Sequence, residues 1–184
     1  MHKAVVILCV FYFFHLTLTA FMKNRYEVEV ENVLACPNNK QIGSPIRNIK
    51  FLRYNRTHKS LTYDFTYSRP LDEKIGGSVT VERWGDGGWI GIPFMGFQPN
   101  ICSYILKFFG SVWVQFHRSL GIKHPDKCPI PAGNYSLKNF VIDTEEITVP
   151  FWSGRFRFTT TFQDVDTKQT IYCLIYIIKI NEVF

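Results

Sequence analysis

The side chains with the most chemical consequence are Cys36, Cys102, Cys128 and Cys173, in a chain of 184 residues that holds 5 cysteines in all. The fifth, Cys9, lies in an apolar leader described below, so the remaining set is even. Four thiols in an oxidising compartment form two disulfides, and spacing alone leaves all three connectivities open. None belongs to a C-x-x-C pair, so neither a zinc knuckle nor a redox motif is indicated. Two N-x-S/T triplets, beginning at Asn55 and Asn134, are acceptors for glycosylation in a chain that takes a secretory route.

Catalytic chemistry finds little to use. The sequence has no G-x-S-x-G elbow, no H-E-x-x-H, no phosphate-binding Walker loop and no dinucleotide fingerprint; Gly85-Asp86-Gly87-Gly88 reads as a tight turn. His58, His117 and His124 share no metal-ligand spacing, and His117 has no acidic neighbour one helical turn away, so it reads as a surface or core residue. Asp143, Glu145 and Glu146, and Asp164 with Asp166, fall in turn-like sequence where solvated carboxylates are the ordinary case. The chain is expected to be non-enzymatic, with no metal and no cofactor.

The elements that would position these groups begin after residue 20. His2 and Lys3 precede a run from Ala4 to Ala20 without Asp, Glu, Lys or Arg, ending in small residues, the pattern of a cleaved signal peptide over residues 1–20. A spanning helix wants about 20 apolar residues, and polar sequence follows this run at once. Residues 21–184 suit one secreted, extracellular domain with a sizeable core. The formal charge of +6 becomes +5 once Lys3 is lost, and it is spread along the chain, which argues against a nucleic-acid partner. Arg47, Lys50, Arg53, Arg56 and Lys59 form the densest basic cluster and read as a solvated face.

Period-two alternation marks most of the chain as strand. Tyr26, Val28 and Val30 alternate with glutamates, Leu61, Tyr63, Phe65 and Tyr67 with Thr62, Asp64 and Thr66, and Phe156, Phe158 and Phe162 continue an aromatic strand from Val149. Ile171 to Ile180 is apolar on both faces apart from its ends, so it is expected to be central in a sheet or buried on both sides. From Ile101 the spacing changes to three-then-four through Leu120, an amphipathic helix that Asn100 could cap and Gly110 could bend; Cys102 would tie it to a strand.

Aromatic residues make up 16% of the chain and gather in three groups. The segment from Ile92 to Pro99 reads as a loop between strand and helix, and a loop that apolar either caps a core or rims a cavity. Candidate wall and mouth residues are Trp84, Trp89, Ile92, Phe94, Phe97, Ile105, Phe108, Phe109, Trp113, Phe151, Trp152 and Phe158.

Cys128-Pro-Ile-Pro-Ala-Gly-Asn-Tyr-Ser-Leu137, then V-P-F-W-S-G-R-F-R-F over Val149–Phe158, then Cys173 in a terminal apolar strand, resembles the second half of the ganglioside activator protein of the ML lipid-recognition superfamily. It is more closely similar to the insect chemosensory protein A family, which the Y-E-V-E-V-E opening and the triplet at Asn55 also fit. The likeness spans residues 21–184, by pattern more than by residue before Cys102. It implies a mainly β, immunoglobulin-like sandwich or β-cup: two antiparallel sheets splayed around a lipid-sized cavity, with a short helix near the mouth. It also implies the pairings Cys36–Cys173 and Cys102–Cys128, each contributing about 3 to 5 kcal/mol by loop-closure entropy. The chain lacks the activator's two extra loop cysteine pairs, which puts transfer of ganglioside specificity aside.

The function implied is a secreted binding protein for a lipid or other hydrophobic small molecule, acting in chemosensation (pheromone detection), with a sensory receptor or membrane surface as possible partner. Two rivals are a lysosomal activator that presents glycolipid to a hydrolase, and an extracellular structural domain whose interior is filled by its own aromatics.

Overall fold

A computed structural model describes residues 25–37, 46–55, 59–143 and 152–183. The signal segment, Phe151, and Arg56 and Thr57 of the first glycosylation triplet lie outside the described residues. Eight strands and one helix follow in the order β1 Arg25–Ala35, β2 Ile46–Arg53, β3 Lys59–Tyr67, β4 Ile75–Gly85, β5 Gly88–Gln98, α1 Ile101–Ser119, β6 Gly133–Phe140, β7 Gly154–Asp164 and β8 Thr170–Val183. They build a five-stranded sheet, β1-β8-β7-β4-β5, and a three-stranded sheet, β2-β3-β6, antiparallel throughout. The architecture is the expected mainly β two-sheet sandwich with one helix.

Local sequence accounts for most of this. On β3 the alternating Leu61, Tyr63, Phe65 and Tyr67 are all buried, while Thr62, Asp64 and Thr66 turn outward. There Asp64 accepts hydrogen bonds from Ser136 of β6 and from Asn48, so the outer face is laced by polar groups. β8 lies inside the large sheet between β1 and β7, as its apolar composition requires. The β4–β5 hairpin closes through Asp86 (φ 50°) and Gly87 (φ 81°), the left-handed pair of a type I′ turn.

The helix starts where Asn100 accepts a hydrogen bond from the Ser103 N–H at 3.1 Å. Its backbone breaks at Phe109 (φ −131°, ψ 31°), next to Gly110 where weak propensity predicts a bend. It packs against β4 of one sheet and β6 of the other, closing one side of the sandwich. The disulfides are Cys36–Cys173 and Cys102–Cys128. The first joins the chain beyond β1 to β8. The second joins the first turn of α1 to the loop before β6, so Cys128 stands in a loop where a strand was expected.

Two other expectations are corrected. Ile92 to Gln98 is not a loop but the second half of β5. Its register against β4 runs Ile92 to Val81, Met95 to Val79 and Gln98 to Gly77, so β5 carries one extra residue in each interval. β5 is an edge strand, which tolerates the missing N–H of Pro93, and the two bulges turn Phe94 and Phe97 away from regular alternation. The aromatic strand expected from Val149 begins at Gly154, with Trp152 and Ser153 preceding it.

Gly76 and Gly77 permit the close approach of β4 to its neighbours. A Cβ on Gly77 would lie 2.7 Å from the Thr161 carbonyl and 2.9 Å from Ile101, and one on Gly76 would strike the Phe97 ring at 2.4 Å. The core is correspondingly divided. A large cluster that includes Leu61, Phe65, Ile75, Ile101, Leu137 and Leu174 fills one end, and a small one of Val81, Phe156 and Ile180 lines the large sheet further along.

Candidate functional site

Between the two clusters the sheets do not meet, and a cavity of about 330 Å³ remains. Its walls come from both sheets and the helix: Tyr63 and Tyr67 on β3, Val79 and Val81 on β4, Phe156, Phe158 and Phe162 on β7, Tyr172, Tyr176 and Ile178 on β8, and Ile105, Phe109, Val112, Trp113 and Phe116 on α1. The inward faces of alternating strands supply rings and branched aliphatics, which is why the lining is almost wholly apolar. Phe94 and Trp152 line it while remaining 48% and 64% exposed, so they mark the mouth. The Phe94 ring sits 5.8 Å from Phe109 and 6.5 Å from Phe158, joining the edge strand, the helix kink and β7 around the opening.

The structure brings seven of the twelve residues named from sequence to this cavity: Ile92, Phe94, Ile105, Phe109, Trp113, Trp152 and Phe158. Four stand elsewhere. Trp84 and Trp89 are cross-strand partners at the hairpin tip, ring centroids 5.2 Å apart. They share the outer face with Arg157, whose guanidinium lies 4.9 Å from the Trp89 ring and makes a two-pronged ion pair with Glu82 at 2.5 Å. Phe97 is turned by its bulge onto Gly76, and Phe108 lies on the exposed side of the helix against Tyr104. The twelfth, Phe151, is outside the described residues.

Sequence reasoning passed over the four tyrosines of the wall. The signal was present, since Tyr63 and Tyr67, like Tyr172 and Tyr176, are four apart on a strand and must share a face. Tyr172 and Tyr176 join hydroxyls at 3.0 Å. Burial pushes the hydroxyls of Tyr63, Tyr67 and Tyr172 well above the ordinary phenol value, and raises Tyr176 as well, so all four stay protonated at neutral pH. Behind them His117 is fully buried. Its Nδ1–H donates to the Trp113 carbonyl at 3.0 Å, leaving Nε2 to accept from the Tyr67 hydroxyl at 3.0 Å. Desolvation lowers its pKa to about 4, so the ring is neutral and works as a core hydrogen-bonding group.

Among the described residues no cluster of His, Cys, Asp or Glu could hold a metal ion. Asp64 and Asp164 are committed to hydrogen bonds and, for Asp164, to Arg69 at 2.5 Å. Asn134 is exposed on β6, and its side-chain carbonyl accepts from Thr66 at 2.8 Å.

A family model described as a protein of unknown function, DUF1091, matches residues 88–158. That stretch carries β5, the helix, β6 and the start of β7. No curated protein sequence matches the chain. Among solved structures, a Niemann-Pick type C2 protein from the Japanese carpenter ant is similar at 14% identity, with a TM-score of 0.25, over 84% of this chain and 93% of that one. The fold described above rests on the strand order and pairing themselves.

Proposed function

We propose that this chain is a secreted, non-catalytic carrier of a lipid or other hydrophobic small molecule, held in the cavity between the two sheets. The observation that carries this reading is an apolar space of about 330 Å³ in an interior with ample aromatic side chains to close it. The volume falls in the range of about 300 to 1,000 Å³ usual for small-molecule sites. A guest would gain about 25 cal/mol for each Å² of apolar surface removed from water. Phe94 and Trp152, apolar and exposed at the mouth, would meet the guest first.

The disulfides favour an oxidising compartment, and the leader and the acceptors Asn55 and Asn134 fit secretion and glycosylation. A role in chemosensation follows from the resemblance to the insect chemosensory family, and a receptor or membrane surface would then face the mouth.

The test is uptake of an uncharged naphthylamine dye by the wild-type chain and by Val79→Phe. Val79 lines the cavity from β4. Filling a solid core costs about 1 to 3 kcal/mol, whereas filling a void leaves the melting temperature unchanged or raises it. The expected result is saturable uptake by wild type and loss of uptake in a variant of undiminished stability. A wild-type chain that takes up no dye overturns the reading.

A further inference from the structure

The apolar rows of the cavity wall end on a cation. Across β4 and β7 the facing pairs Val79–Thr160 and Val81–Phe158 line the cavity, and the next pair in the same register is Arg83–Phe156, of which Phe156 lines it too. Arg83 stands two residues beyond Val81 and so shares its inward parity, yet it is exposed, as is its β5 partner Ile90. The guanidinium stays beside the opening. Its Nη2–H donates to the carbonyl of Ser153, the residue after Trp152 of the mouth, at 3.3 Å. A Cβ on Gly154 would lie 3.1 Å from Arg83 Nε and 3.3 Å from Phe156 Cε2, so a glycine there lets the guanidinium settle next to a ring of the wall. That one bond leaves most of the five N–H donors for other acceptors. The charge is also unanswered. Lys59, two residues from Leu61 of the wall on β3, is held by Glu29 at 2.8 Å, whereas Arg83 has no carboxylate at ion-pair distance among the described residues. Glu182, which shares the parity of Ile178 and Ile180 on β8, stands four residues past the row of Phe156 and Ile178, about 13 Å along the strand.

We propose that Arg83 is the headgroup site of this carrier and that the guest is an amphiphile with an anionic head, its tail in the cavity and its carboxylate or phosphate oxygens on the guanidinium at the rim. This rests on the carrier reading and names the ligand class of the same site. The orientation follows from the walls. They hold no cation, amide or carboxylate among the described residues, so a head driven inward would bury a full charge with nothing to face it. At the rim the head keeps much of its water and meets a planar fork of donors that carboxylate and phosphate fit.

The experiment displaces the naphthylamine dye with three ligands of equal chain length, a long-chain carboxylate, a monoalkyl phosphate and a primary alcohol, at neutral pH and low ionic strength, below their aggregation concentrations. At least one anion is expected to bind roughly twofold to tenfold more tightly than the alcohol, the range of a rim ion pair, with the advantage shrinking as salt is added. The tighter anion identifies the head as that of a free fatty acid or of a phosphate-bearing lipid, and a preference for either supports the inference. Arg83→Gln should erase the advantage while alcohol affinity and melting temperature stay at wild-type values, and Arg83→Lys, which keeps the charge without the fork, should retain part of it. Anions bound no better than the alcohol, or an anion advantage undiminished in Arg83→Gln, overturns the inference while the carrier reading stands. Absence of dye uptake by the folded wild-type chain overturns both.

Discussion

His117 converts the buried end of the site into a measurable dependence on pH. The ring is 0% exposed, packs 3.9 Å from Trp113, and is held by its two hydrogen bonds in the neutral state. Burial lowers its pKa from 6.5 to about 4. In the unfolded chain the ring takes a proton near pH 6.5, so between that value and about pH 4 the unfolded state binds more protons than the folded one. The stabilisation is therefore complete above the unfolded value and is withdrawn as pH falls towards the folded one. A displacement of this size corresponds to about 3 kcal/mol at its acid end, a large fraction of the 5 to 15 kcal/mol, roughly, that holds a domain folded. Urea unfolding of the disulfide-bonded protein at steps from neutral pH to pH 4 would show the loss. His117→Gln keeps a donor and an acceptor without titrating, so its stability should be lower at neutral pH and nearly flat across the window. An equal slope in wild type and variant would refute the reasoning, because the proton would then be entering elsewhere.

Two other outcomes follow from the same structure. Asp164 is held at about 2, first by the Thr167 backbone N–H and then by the Arg69 guanidinium, with help from the Thr167 hydroxyl and the Asp166 N–H. Its contribution is present above the usual carboxylate value of 3.8 and lost as pH falls towards 2, so Asp164→Asn should destabilise at neutral pH and flatten the acid limb of the unfolding curve there. Gly77→Ala places a methyl 2.7 Å from the Thr161 carbonyl and 2.9 Å from Phe162. It should cost about 1 to 3 kcal/mol, read as a lower melting temperature with dye affinity measured alongside; an unchanged melt would show that β4 and β7 can part at no cost.

Much of the fold was legible because strand alternation and helix spacing are local patterns. β3, the interior position of β8, the Asn100 cap and the weak point at Gly110 all follow from residues a few positions apart. β5 was not legible beyond Ile92, since Pro93 and Gly96 lower strand propensity locally, while the edge position and bulges that accommodate them depend on β4. The aromatic count misled at Trp84 and Trp89. Trp84 differs in parity from Val79 and Val81 on β4, and Trp89 is its cross-strand partner on β5, so both rings share the outer face; strand parity, not ring content, decides which face is inside. The tyrosines and Trp113 show the remaining limit. Sequence can place a residue on the inward face, but whether that face meets another side chain or a void depends on how far apart the sheets stand.

That separation is tested most directly by native mass spectrometry of the chain secreted from a eukaryotic host, before and after incubation with an excess of the uncharged naphthylamine dye. The account predicts one bound molecule per chain, retained under gentle ionisation and released on unfolding. A folded, disulfide-bonded chain that stays at the mass of polypeptide and glycan alone after incubation would contradict it.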